Sequence, residues 1–348
     1  MFNKKAKSKK SLLGYIGFVV IVFIIYIAFS NTNLVNKDLH SKIFVINKGQ
    51  SLDEISDNLE KKGVIKNDKL FQLTAFFKNV KNKFLPGEYE LKSGMSLDEL
   101  IKTLTSPQKA KEVKVTFLEG TTNIDIAKKL EKKNLLTQKE FFNGLEKLQN
   151  DKDFLNQYKF LDQRTFKNDK KEILQGFLFP DTYRFYKKAS FKHIIEKMLD
   201  NFSNKIYLPL QTQIRSNKHS FYEVLTLASI VEKEMDKDRD KRLAADVFWS
   251  RLKINWALQS DATINYILNT KKLQPTFKDT RVSSPYNTYT NPGLPPGPIN
   301  NPSFSSVRAS LDPIENDYCC FLVTPDGENL FSKTIEEHNR KKAKYWGD

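Results

Sequence analysis

The residues best suited by type and spacing to move a proton are Glu232 and Glu234. They lie near the end of the apolar run Tyr222-Glu-Val-Leu-Thr-Leu-Ala-Ser-Ile-Val-Glu-Lys-Glu-Met235. Val224, Ala228, Val231 and Met235 recur at helical spacing, so the run is expected to form a helix buried on one side. At helical pitch the two glutamates flank that stripe by about 80° on either side. A carboxylate at the edge of an apolar stripe is partly desolvated, which raises its pKa and suits a general acid. Spacing alone does not choose between the two glutamates. Nor does it separate a catalytic carboxylate from a solvated flank residue paired with a nearby Lys or Arg.

Other polar groups sit in apolar or aromatic settings. Leu258-Gln259-Ser260-Asp261-Ala-Thr263 gathers four polar side chains, and Ser284-Pro-Tyr286-Asn287-Thr-Tyr289 adds aromatic rings and an amide. Gly293-Leu-Pro-Pro-Gly-Pro-Ile299 makes a rigid loop, and Gly176-Phe-Leu-Phe-Pro-Asp-Thr-Tyr183 embeds one acid among aromatics. Ring faces beside Asn, Gln and Asp are what a sugar needs, something to stack on with donors and acceptors for its hydroxyls. Such loops also serve as plain connectors. His40, His193, His219 and His338 stand at no metal-ligand spacing, so neither metal nor cofactor is expected. Cys319 and Cys320, the two cysteines, are adjacent and close only a strained eight-membered ring, which rules out a disulfide scaffold.

The elements that must position these groups read as α+β. Phe44–Gly49 followed by Ser51–Leu59 has the pattern of a short strand, a Gly turn, a Ser cap and an amphipathic helix. The pattern returns at Tyr89–Gly94 with Ser96–Ile101, and again at Val115–Gly120 with Thr122–Leu130. A unit this small cannot bury its own apolar face, so the copies are expected to pack together. Residues 42 to 107 read as one module, with a break at Ser106-Pro107. Helical periodicity runs from Lys111 to about Leu268, followed by the Pro/Gly-rich stretch 283 to 302. A strand over Tyr318–Val323, a Pro325-Asp-Gly turn and a charged C-terminal helix close the chain.

In 348 residues, 39% are hydrophobic and 28% charged, enough for a sizeable core. Lys and Arg number 57 against 41 acids, a net charge of +16. Five of the first ten residues are lysines, and Leu12 to Phe29 then runs without a charge. That is about the minimum needed to span a bilayer core of roughly 30 Å. A cleaved signal peptide also starts basic and apolar, but no small-x-small cleavage site follows. The reading is therefore a basic cytoplasmic tail at 1–10, one transmembrane helix at 11–30 and a stalk at 31–41. The remainder is expected on the extracytoplasmic (periplasmic) side of a bacterial inner membrane. The exported part still carries +11 once the five lysines are set aside. A charge that basic suits an anionic partner, either nucleic acid, lipid or an acidic wall polymer. Export, and the lack of an RNP, helix-turn-helix or P-loop signature, argue against nucleic acid.

Seven segments together carry a specific resemblance: LEG (118–120), GFLFPDTY (176–183), LASIVEKE (227–234), LQSDATINY (258–266), SPYNTY (284–289), GLPPGPINNP (293–302) and FSKTIEEHN (331–339). In type and order they resemble the YceG-like family of endolytic murein transglycosylases. The resemblance implies a LysM-like module at 42–107 and a catalytic domain at 111–348. It implies cleavage of the β-1,4 bond between N-acetylmuramic acid and N-acetylglucosamine in nascent peptidoglycan strands, limiting their elongation. It implies Glu232 as the catalytic acid, with Glu234, Gln259, Ser260, Asp261, Tyr286, Asn287 and Tyr289 binding substrate. Membrane lipid and the peptidoglycan synthases are the further partners implied. Three positions depart from the family pattern: Gln175 stands where Glu is usual, Ala262 where Pro is usual, and Cys319-Cys320 where aromatic or aliphatic residues are usual. Gln175 puts in doubt any role for a carboxylate at that point.

Ordinary glycosidases need two carboxylates, one to activate water or attack the sugar. A lytic transglycosylase needs one, because the 6-hydroxyl of the muramic acid is the nucleophile. A single Glu protonates the leaving oxygen and then takes the hydroxyl proton, leaving a 1,6-anhydro end. The absence of a clear second carboxylate in the motifs agrees with this chemistry. The competing reading is a membrane-anchored glycan-binding scaffold without catalysis, which explains charge and aromatics but leaves Glu232 without a task.

Overall fold

The computed structural model describes residues 42–46, 49–106, 112–167, 169–187, 189–272 and 274–346. The basic tail, the apolar span at 11–30 and the stalk lie outside the described residues. Among the described residues, no helix is long and apolar enough to cross a membrane. The architecture is α+β, in two compact units. One holds the described residues up to Glu112 with Tyr186 and Lys187, and the other holds the rest from Val113 onward.

In the first unit the chain runs β1 (Lys42–Ile46), α1 (Leu52–Lys61), α2 (Asp68–Phe77), β2 (Gly87–Leu91) and α3 (Leu97–Thr105). β1 and β2 pair antiparallel, with Phe44 opposite Tyr89. Ser51 and Ser96 each accept from the backbone of a glutamate three residues on, whose carboxylate accepts from the serine amide in return. These reciprocal caps fix where α1 and α3 begin. Phe44, Leu59, Phe71, Tyr89, Leu91 and Leu100 fill the core between the helices and the two strands.

The third copy of the strand-turn-helix pattern goes elsewhere. β3 (Glu112–Thr116) pairs with β4 (Thr182–Tyr186), not with β1 or β2, and α4 (Asn123–Lys132) opens on the reciprocal cap of Thr122 and Asp125. The third copy thus belongs to the second unit and not to the module at 42–107 that holds the first two. Val115 and Phe117 join a core built from β4, α7 (Phe191–Phe202) and α9 (Phe221–Glu234), distinct from the core at residues 44–104.

The remaining elements are α5 (Gln138–Leu148), α6 (Lys152–Gln157), α8 (Gln211–Ser216), α10 (Asp238–Lys253), α11 (Asp261–Leu268) and α12 (Phe304–Leu311). The Pro325-Asp-Gly turn joins β5 (Cys320–Val323) to β6 (Asn329–Ser332) as an antiparallel hairpin, on which α13 (Ile335–Trp346) rests. The expected strand starts two residues late, because Tyr318 and Cys319 precede the ladder, and its partner β6 was not foreseen. α9 is the central element of this unit and packs against α10, α11 and α12. It is buried without a break from Val224 to Val231, so it is not the one-sided helix that its apolar stripe suggested. The side carrying Ser229 is covered by the Pro/Gly-rich loop, whose Ile299 amide donates to Ser229 Oγ at 2.9 Å. Asn300 Nδ2 donates to the Ser229 carbonyl at 2.6 Å.

Candidate functional site

Both carboxylates stand in the last turn of α9. The helix opens on the reciprocal cap of Ser220 and Glu223 and stops after Glu234, where Met235 is extended. Its buried hydroxyls are satisfied within the helix, Thr226 donating to the Tyr222 carbonyl and Ser229 to the Thr226 carbonyl. An apolar helix of this kind holds its ends rigidly, which fixes where the two glutamates point.

They point to different neighbours. Glu232 meets the start of α12. Its Oε2 accepts from the Ser303 amide at 2.9 Å, from Ser303 Oγ at 2.5 Å and from Ser306 Oγ at 2.6 Å, with Lys241 Nζ at 3.5 Å. The side chains of Lys241 and Glu232 are only 6% and 8% exposed. A carboxylate at a helix N-terminus is favoured by the unpaired amides and the helix dipole. All of these bonds fall on Oε2. Among the described residues Oε1 has no hydrogen-bond partner, and it is not one of the fully enclosed polar atoms. One oxygen is anchored and the other is open.

Glu234 meets the start of α11. Its Oε1 accepts from Ser260 Oγ at 2.5 Å. Burial pushes its carboxyl up to about 7, with the Ser260 bond opposing and the nearby Asp261 charge adding to the rise. Asp261 is itself raised by burial, against the hydrogen bond it accepts at 2.5 Å from the Tyr289 hydroxyl. Gln259 is exposed, with a left-handed backbone (φ 53°), and its amide N–H donates to Thr288 O at 3.0 Å. Glu234, Gln259, Ser260, Asp261 and Tyr289 therefore form one cluster.

The two other expected binding residues are placed differently. Asn287 is fully buried and spends its amide on the carbonyls of Thr280 and Val282, while its Oδ1 accepts from the Tyr289 amide. It shapes the loop that presents Tyr289. Tyr286 donates to Glu172 Oε2 at 2.9 Å, beside Tyr266, which donates to Oε1 at 3.1 Å. Burial raises the Glu172 carboxyl, and the two tyrosine bonds oppose it. Glu172 was invisible in the sequence, hidden behind Lys170-Lys171. Gln175 joins the same cluster: Nε2 donates to Tyr266 Oη and to Pro298 O, and Oε1 accepts from the Asn123 amide. An ionised carboxylate could not make the first two of these bonds.

Asn301 ties several motifs together. Its Oδ1 accepts from the amides of Gly176 and Leu178, and its Nδ2 and backbone amide both donate to Thr121 O. Gly176 (φ 93°) has to be glycine, since a Cβ there would lie 2.6 Å from Pro298 Cγ. Gly120 (φ 70°) brings the first motif to the carboxylates: a Cβ there would lie 2.7 Å from Lys233 Nζ and 3.4 Å from Glu232 Cγ. Lys241, Ser303 and Ser306 were also missed, the first because it sits in the charge run Asp238-Arg-Asp-Lys-Arg242. At the other end of α9 a cleft of about 450 Å³ is lined by Arg164, His219, Tyr222, Trp249 and Pro295 among others, and holds none of the expected residues. Among the described residues, no cluster of three His, Cys, Asp or Glu is placed to hold a metal ion.

Comparison with known proteins gives the family. The model of the YceG-like family matches residues 44–344. The chain is 36% identical over 318 residues to the "Endolytic murein transglycosylase" of Bacillus subtilis (strain 168), covering 89% of this chain and 87% of that protein. It is 31% identical over 338 residues to the protein of the same name from Streptococcus pneumoniae serotype 2, of whose length it spans 60%. A crystal structure of a yceG-like protein from Listeria monocytogenes superposes with a TM-score of 0.60 at 32% identity, covering 87% of this chain and all of that one.

Proposed function

The chain belongs to the YceG-like family, and on that premise we propose that it cleaves the β-1,4 bond between N-acetylmuramic acid and N-acetylglucosamine within glycan strands, leaving 1,6-anhydro ends. It is an enzyme, a lytic murein transglycosylase. The observation that carries the assignment of the acid is the asymmetry of Glu232, with Oε2 held by Ser303 and Ser306 and Oε1 open. A carboxyl fixed through one oxygen presents the other in a single orientation, as proton transfer within about 3 Å requires. Glu232 protonates the leaving oxygen through Oε1 and then takes the proton of the muramic 6-hydroxyl at the same atom. The exposed Gln259 amide and the Ser260, Asp261 and Tyr289 cluster supply donors and acceptors for sugar hydroxyls.

A second assignment has one observation in its favour. Glu234, raised to about 7 by burial, is half protonated near neutral pH without help from substrate. In that reading it is the acid and Glu232 secures the loop at 299–303.

The apolar span at 11–30 anchors the chain in the bacterial inner membrane in this account, with the catalytic unit outside the cytoplasm and the module at 42–107 as a LysM-like glycan contact. Peptidoglycan synthases working on the same strand are the corresponding partners. The full chain in detergent, incubated with purified glycan strands and read by mass spectrometry, is expected to release anhydro-ended fragments. Binding without any cleavage would instead support the non-catalytic scaffold.

A further inference from the structure

We propose that buried Lys241 is a positioning residue that acts through Glu232, fixing which of its two oxygens carries the proton. The inference rests on the assignment of Glu232 as general acid and base.

Lys241 is 5% exposed, in the first turns of α10, where a lysine is rare unless its charge is answered. Its ammonium has three protons and finds three acceptors: Ser305 Oγ at 3.0 Å, Ser303 Oγ at 3.3 Å and Glu232 Oε2 at 3.5 Å. Of these, Glu232 alone can carry a charge. The contact with Oε2 is long for a hydrogen bond, so the lysine acts on it by charge and by way of Ser303. An ammonium cannot accept a hydrogen bond. Ser303 must therefore turn a lone pair toward Nζ, which leaves its proton free to point at Glu232 Oε2, 2.5 Å away. The cation thereby orients a relay: Lys241 Nζ donates to Ser303 Oγ, which donates to Glu232 Oε2. A proton placed on Oε2 would collide with that donor and with those of Ser306 and the Ser303 amide. The transferable proton is left to Oε1.

The other charges around Glu232 do not duplicate this. Lys233 on the same helix reaches toward Gly120, and its ammonium is held below the ordinary lysine value by burial, with the Glu232 charge opposing. Asp125 of α4 and Lys271 beyond α11 act on Lys233 with opposite signs. Arg308 of α12 pairs with Asp238. Lys241 is the cation whose bonds converge on the anchored oxygen.

The sign of the effect follows. A cation beside a carboxylate favours its charged form. Without it the proton is kept to higher pH, and the descending alkaline limb of the pH–rate profile moves upward. The experiment compares the full-length protein with Lys241→Met, Lys241→Arg, Ser303→Ala and Glu232→Gln, measuring kcat and KM for anhydro-product release across pH, with thermal unfolding as a check on folding. Lys241→Met is expected to move the alkaline limb up and to lower kcat about tenfold with KM little changed. Lys241→Arg keeps the charge and is expected to leave the limb in place even if overpacking lowers stability. Ser303→Ala keeps the cation but breaks the relay, and is expected to move the limb the same way by less. If Glu232→Gln is inactive and the limb of Lys241→Met stays where it was, Lys241 is merely structural and the inference is overturned. If Glu232→Gln remains active, the assignment of Glu232 fails and the inference falls with it.

Discussion

Glu232 and Glu234 leave one helix two residues apart and meet opposite surroundings. The first is surrounded by donors: an amide and two hydroxyls at the start of α12, with an ammonium behind them. The second is desolvated, with the Ser260 hydroxyl, the Ala262 amide and the Arg251 charge opposing burial and the neighbouring acid Asp261 adding to it. Donors fix the orientation of the first, whereas burial outweighs the donors of the second and favours its protonated form. Residue type is therefore a poor guide to role; the helix that each side chain meets decides it. One carboxyl is held in a fixed orientation, and the other sits among groups that suit a sugar.

The comparison breaks most sharply under amide substitution. Glu232→Gln keeps the shape and removes the transferable proton, and turnover is expected to fall about 10²-fold or more with glycan binding retained. Glu234→Gln is expected to cost clearly less. Steady-state release of anhydro products by the two variants checks this, and the reverse ranking would move the acid to Glu234.

The two substitutions should also differ in the sign of their effect on stability. Glu234 is raised to about 7 in the folded chain from an ordinary 4.5. The folded state therefore holds more protons than the unfolded state between about 4.5 and 7, and stability falls as pH rises through that window. Above it the ionised, desolvated carboxylate costs on the order of 2–3 kcal/mol. Glu234→Gln should recover much of this at pH 8 and little at pH 4, as read from urea unfolding at both. Glu232→Gln should recover none, because its carboxylate is answered by donors. A Glu234→Gln variant equally affected at both pH values would refute the burial argument.

Smaller changes sharpen the same contrast. Ser306→Ala deletes one hydrogen bond to the Glu232 carboxyl and is expected to cost about 1.5–3 kcal/mol. Ser260→Ala removes the largest of the contacts that oppose the rise of Glu234. It is expected to change stability by about 1 kcal/mol, chiefly above pH 7. Denaturation midpoints across pH separate the two.

What the sequence disclosed follows the same division between local and long-range causes. The caps at Ser51, Ser96 and Thr122 and the apolar run of α9 are written within a few residues each, and the structure has them where the pattern puts them. The cluster of Glu234 with Ser260, Asp261 and Tyr289 was legible as polar groups in apolar settings. The pairing of β3 with β4 was not, because it joins residues about 70 apart and depends on which core each strand completes. Lys241 was not either, since a buried lysine in a charge run looks like a solvated one. Tyr286 and Asn287 share the motif of Tyr289 but turn to Glu172 and to the loop backbone, a difference that depends on loop geometry and not on residue type.

The most direct test of the account is the source of the oxygen at the new chain end. Glycan strands are cleaved by the full-length protein in heavy-oxygen water, and the products are weighed. With Glu232 as the only acid and base and the muramic 6-hydroxyl as nucleophile, no solvent oxygen enters, the ends are anhydro, and Glu232→Gln gives almost none of them. Reducing ends that carry heavy oxygen would show that water is the nucleophile. They would contradict the single-carboxylate mechanism and make a second carboxylate necessary.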